Sequence, residues 1–165
     1  MGLVFLLSIL GCREDEGWKH IVNYLNNDIL RIYQFEETAL KHYGSATGKN
    51  YTNDKVLYKT LKKLIIPTYS QFVNLLEKIR PPNVDLREIH GIYIQSAHAF
   101  QTGFDILLSA IEKNDPTLTQ RANRYIFEGK QKGEEWRKAL LALCQKYGVK
   151  VEKKGPDRKK LDPGQ

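Results

Sequence analysis

Cysteine is almost missing from this chain. Of its 165 residues only Cys12 and Cys144 are cysteines, which excludes a multi-bridge disulfide scaffold. Long apolar runs are missing too. The stretch Leu3 to Leu10 is eight residues, far short of the roughly 20 that a helix needs to span a bilayer. No segment shows convincing alternation of apolar and polar residues, so a sheet is not expected. Solenoid-type repeats and long linkers are also absent, and the length suits one ordinary domain.

The motifs that carry chemistry are absent in the same way. A di-iron site in a helical bundle needs Glu and His three apart on one helix face, yet no Glu here has His three positions later. The four histidines, His20, His42, His90 and His98, contain no pair three or four apart. Gly-x-Ser-x-Gly does not occur, and Cys144 has no His near it in sequence. Gly44-Ser45-Ala46-Thr47-Gly48-Lys49 lacks the P-loop spacing and follows a helical pattern rather than a strand. The expectation is a protein that is not an enzyme, with no cofactor and no metal. A ferritin-like metal-dependent protein is the least favoured alternative.

What the chain has in excess is positive charge, +7 in total. Residues 150–165 hold six Lys/Arg against three Asp/Glu and almost nothing apolar, which predicts a basic, disordered tail. Lys55, Lys59, Lys62 and Lys63 form a second basic group on one helical segment. The ordinary reading is a solvated face. The functional one is contact with an anionic surface, either lipid headgroups or wall polymer.

The N-terminus carries the most specific pattern. Leu7-Ser8-Ile9-Leu10-Gly11-Cys12 closes the apolar run and resembles the lipobox of bacterial lipoproteins. The resemblance implies a signal peptide over 1–11, cleavage between Gly11 and Cys12, and a lipid such as palmitate carried by Cys12. It implies a tether over 12–17 and a membrane-anchored, extracytoplasmic protein of the periplasm or cell surface. No Lys or Arg precedes the run, so the full signal is expected to be longer. Partners are then the membrane itself through the anchor, and an envelope protein or anionic polymer, with no nucleic acid. With Cys12 lipidated, Cys144 has no thiol to pair with and is expected as a small buried hydrophobe.

Between these ends, residues 18–149 read as four helices. Trp18, Val22, Leu25, Ile29, Ile32, Glu36, Ala39 and Tyr43 form the first stripe, with Gly44 as its stop. Thr52-Asn53-Asp54 is a cluster of N-cap candidates for the second, along Leu57, Leu61, Leu64, Tyr69, Phe72, Leu76 and Ile79. Pro67 lies inside that stripe and predicts a kink or break near Leu64 to Pro67. The third runs from Leu86 to Ile111, with Asp85 and Glu88 spaced like a capping box. Asn114-Asp115-Pro116 divides it from the fourth, which Gly148 closes. The expected fold is all-α, an antiparallel up-down-up-down four-helix bundle. It is similar in outline to small helical bacterial lipoproteins of unassigned function.

Two places in the bundle are candidate sites. Gly129 and Gly133 each cost a helix about 1 kcal/mol relative to Ala. Antiparallel pairing about Asn114 sets Gly129 level with Phe100, and Gly133 level with Ser96 and Ala97. Close ring packing is the ordinary reading; a small cavity near Phe100, Gly129, Gly133, Ser96 and Pro67 is the functional one. Glu36 lies on a core stripe, where a carboxylate needs a partner. Thr60 and Lys63, or Arg124 and Tyr125, are the expected partners in a buried polar group. The leading functional expectation is a lipid-anchored interaction module of the envelope. The alternative is a small-molecule sensor or carrier with its ligand between the helices.

Overall fold

The computed structural model describes residues 17–150. The lipobox with Cys12, the tether up to residue 16 and the tail beyond Lys150 lie outside the described residues. Among the described residues the secondary structure is entirely helical, in four long runs.

The first helix joins Gly17–Asn23, a π-helical segment Tyr24–Ile29, and Leu30–Ala46 end to end. It passes through Gly44, the expected stop, and ends two residues later. Its last carbonyls are satisfied locally, with Ser45 Oγ donating to the His42 carbonyl and Thr47 Oγ1 to that of Tyr43. The chain turns only at Thr47 and Gly48, where φ reaches +59°.

The second helix joins Asp54–Thr60, a π-helical segment Leu61–Ile65, and Ile66–Leu76. Asn53 caps it, its side chain accepting from Val56 N. Pro67 falls at the start of the third segment, and the backbone on either side keeps helical angles. The helix continues past the proline, and just before it the hydrogen bonding is π-helical over Leu61–Ile65.

The third helix, Val84–Lys113, is capped by Asn83, which accepts from Leu86 N at 3.1 Å. The expected capping box is therefore displaced. Asp85 is already inside the helix, and it accepts instead from Lys146 Nζ at 3.1 Å. The fourth helix, Pro116–Lys146, begins as expected, with Asp115 accepting from both Thr117 N and Leu118 N. Asn114 makes the turn in the left-handed region.

The second helix packs against the first and the third, and the third and fourth share the longest interface. Along that interface Asp85 meets Lys146, Ser96 meets Gly129, and Gly103 meets Ile126. A thread of rings crosses the core: Tyr69 against Phe72, Phe100 and Phe104, then Phe72 against Tyr93, and Tyr93 stacked on Trp136 at 3.9 Å and 12°. Tyr69, Phe72 and Phe104 are fully buried, and each ring of this size contributes about 1.5–3 kcal/mol through burial. Gly129 is required by this packing, since a Cβ there would stand 2.6 Å from the Phe100 ring.

Candidate functional site

The first helix is held by the second, and the fourth by the third. No comparable seam joins the first to the fourth. Between them lies an open groove of about 750 Å³. The third helix forms its floor with Tyr93, Ser96 and Phe100, all nearly buried. Tyr33, Glu36 and Leu40 line one wall, and Gly129, Gly133 and Trp136 the other.

These wall positions follow from helical geometry. Residues 33, 36 and 40 are three and four apart, so they share one face of the first helix; 129, 133 and 136 do the same on the fourth. The two glycines keep their wall low. The backbone carbonyl of Gly129 accepts from Ser96 Oγ at 2.7 Å, a buried bond, so the one hydroxyl on the floor from a serine is already engaged. Ser96, Phe100, Gly129 and Gly133, the four residues expected around a cavity, all line the groove. Pro67, expected beside them, is exposed and does not.

Glu36 is the central polar group. Its Oε2 accepts from Tyr93 Oη at 2.5 Å, and it makes no ion pair among the described residues. Burial pushes its carboxyl up to about 7, while the Tyr93 bond acts in the opposite direction. The expected partners are elsewhere. Arg124 is exposed rather than buried. Tyr125 is half-buried, under the Arg121 guanidinium at 6.0 Å. Thr60 Oγ1 donates to its own helix at Val56 O, and Lys63 is exposed. The reason is one of level. Across the groove from Glu36, the fourth helix presents residues 129–137 rather than 124–125, and the buried hydroxyl that reaches the carboxyl comes from the third helix.

The phenols around Glu36 share its environment. Burial, then the charge and hydrogen bond of Glu36, push Tyr93 well up. Tyr69, below it, is pushed up by burial and by Glu36, and its buried hydroxyl has no hydrogen-bond partner among the described residues. The Trp136 indole N–H is buried near the Tyr24 hydroxyl and makes no hydrogen bond of ordinary geometry among the described residues. Tyr33, Leu40, Tyr93 and Trp136 are among the groove residues that sequence reasoning missed. The signal for Tyr33 was present, since it stands three before Glu36 on the same face.

His90 forms a separate buried cluster. Its Nε2 lies 3.2 Å from the Leu76 carbonyl, which can only accept, so Nε2 carries the proton. Nδ1 then accepts from Tyr24 Oη at 3.0 Å. Burial holds its pKa below the usual histidine value. His98 is exposed and pairs with Glu77 at 2.8 Å. Among the described residues no three His, Cys, Asp or Glu side chains stand where they could hold a metal ion. Cys144 is buried and burial pushes its thiol up.

Lys55, Lys59, Lys62 and Lys63 are all exposed. Lys62 Nζ donates to Tyr58 Oη at 2.7 Å, and Tyr58 in turn donates to Glu112 at 2.8 Å. No helix among the described residues is long and apolar enough to cross a membrane. Comparison with protein-family models, with curated proteins and with solved structures finds no match.

Proposed function

We propose that this chain is a membrane-tethered binding module of the bacterial cell envelope, and that its working site is the groove between the first and fourth helices. The observation that carries this reading is the groove itself: about 750 Å³, lined by the rings of Tyr33, Tyr93, Phe100 and Trp136 with Leu40, the mostly buried Glu36 carboxyl among them and the charged side chains of Glu37, Lys41, Lys130, Glu134 and Arg137 around them. Small-molecule sites are commonly of this size, mostly apolar, with few polar groups. The occupant is then a small ligand with an apolar body, and the role is binding or carriage rather than catalysis. The tether rests on the resemblance of Leu10-Gly11-Cys12 to a lipobox.

The architecture that goes with this function is an antiparallel up-down-up-down bundle opened along one seam. Its second helix bends where the π segment meets Pro67, since both features are recognised causes of kinks. A second reading is favoured by the exposure of Lys55, Lys59, Lys62 and Lys63: contact of that face with anionic headgroups, wall polymer or an acidic envelope protein.

The test has two arms. Cys12→Ser should move the full-length protein from the membrane fraction to the soluble one, because it removes the residue that would carry the lipid. Separately, the neutral dye N-phenyl-naphthylamine should fluoresce on binding the wild type. Gly133→Leu, which fills the groove from the fourth helix, should abolish that signal without lowering the melting temperature. Dye binding that survives Gly133→Leu overturns the groove assignment.

A further inference from the structure

The charges around the groove are not equally answered. Glu37 pairs with Lys41 at 3.1 Å on one rim, and Glu134 with Arg137 at 2.7 Å on the other. Glu36, between these rims, has among the described residues only the Tyr93 hydroxyl. From the second helix the group that acts on it is Tyr69, and from the third it is Tyr93. On the fourth, Lys130 lines the groove with no ion pair among the described residues.

Among the described residues, Lys130 and Glu36 are therefore the two charges lining the groove without an ion pair, and they are of opposite sign. Lys130 is exposed. A hydrated ammonium gains little from a new ion pair, because water already solvates it and screens the partner. Glu36 is mostly withdrawn from water, where an uncompensated carboxylate is costly, so a cation delivered to it gains far more. Tyr33, an exposed ring, lines the groove with it, and an aromatic face attracts cations and tolerates their apolar substituents; Tyr93 and Trp136, already stacked on one another, add to the apolar lining. Leu40 and Phe100 extend the apolar lining.

Resting on the groove reading, we infer that the ligand class is an organic cation: a protonated amine or quaternary ammonium on an apolar body, its head against the Glu36 carboxylate and its body along Leu40 and Phe100. Glu36 sets the sign of the charge selected, and Lys130, on the rim, does not.

Three probes of one length separate the possibilities: octylammonium, octanol and octanoate, titrated calorimetrically into the folded protein. At about pH 8 octylammonium should bind roughly tenfold more tightly than octanol, the size of one partly desolvated ion pair with ring contacts. Its affinity should fall about tenfold between pH 8 and pH 6, because the Glu36 carboxyl titrates near 7 and must give up its proton to pair with the ammonium. Octanol binding should stay flat. Glu36→Gln should bring octylammonium down to the octanol level and remove its pH dependence, while octanol binding persists and shows that the groove is intact. Should that variant fold poorly, the wild-type pH dependence alone decides. Octanoate binding more tightly than octylammonium overturns the inference, as does a cation preference that survives Glu36→Gln. Octanol and octylammonium binding equally also overturns it, while leaving the groove reading standing. If none of the three binds, the groove reading falls and takes the inference with it.

Discussion

Replacing Glu36 by Gln should make the protein more stable at neutral and alkaline pH, and the structure supplies the magnitude. The carboxyl titrates near 7 in the folded chain against 4.5 for an ordinary glutamate. The folded state thus holds this proton more tightly than the unfolded one. Below about pH 4 both states are protonated and the residue adds no pH dependence. Between 4.5 and 7 the folded state binds more protons, so stability falls as pH rises; above 7 the whole penalty, about 3 kcal/mol, is present. Gln at this position cannot ionise, and its carbonyl can still accept from Tyr93 Oη. Urea unfolding of wild type and Glu36→Gln, followed by helical circular dichroism, should therefore show a gap that depends on pH. At about pH 8 the variant should be the more stable by up to about 3 kcal/mol, whereas at about pH 5 the two should lie within about 1 kcal/mol. A cation partner would reverse this, since an ion-paired carboxylate loses stability on becoming an amide. A gap of the same size at both pH values, or a variant less stable at pH 8, would refute the description of Glu36 as an unpaired, desolvated acid.

Tyr69→Phe removes a buried hydroxyl that has no hydrogen-bond partner among the described residues, so it should leave stability unchanged or raise it by up to about 1 kcal/mol; a loss above that would reveal a bond not accounted for. Gly129→Ala puts a Cβ 2.6 Å from the Phe100 ring, and overpacking of this kind should outweigh the gain in helix propensity and cost about 1–2 kcal/mol. Gly133→Ala meets only Ser96 Oγ, at 3.2 Å, and should be neutral or mildly stabilising in the same thermal melts. His90 is held below the ordinary value of 6.5 by burial, so its stabilising contribution is complete above 6.5 and is lost as pH falls below it; a side-chain NMR titration of His90 with a midpoint at or above 6.5 would contradict the buried, neutral ring.

Much of the local structure was decided by residues acting on their own neighbours. Asn53, Asp115 and Pro116 start helices because their side chains or ring meet the needs of the first turn, whatever the rest of the chain does. Stripes such as Leu57, Leu61, Tyr69, Phe72 and Leu76 mark a core face because a helix brings them together every three or four residues. The meeting of Gly129 with Phe100 was also legible, because a two-residue turn at Asn114 and Asp115 leaves the two helices it joins little freedom of register.

The site was legible only in part, since it depends on helices far apart in sequence. Nothing local to Glu36 says that the first helix packs on the second and leaves a gap to the fourth. Its partner, Tyr93, is 57 residues away and comes from the helix that floors the gap. The expectation of Arg124 beside it failed because levels across an open seam are not transmitted by any short turn. Tertiary packing alone decided that a carboxyl on a core stripe would face a groove lined by rings, withdrawn from water yet reachable, with a phenol in place of a cation.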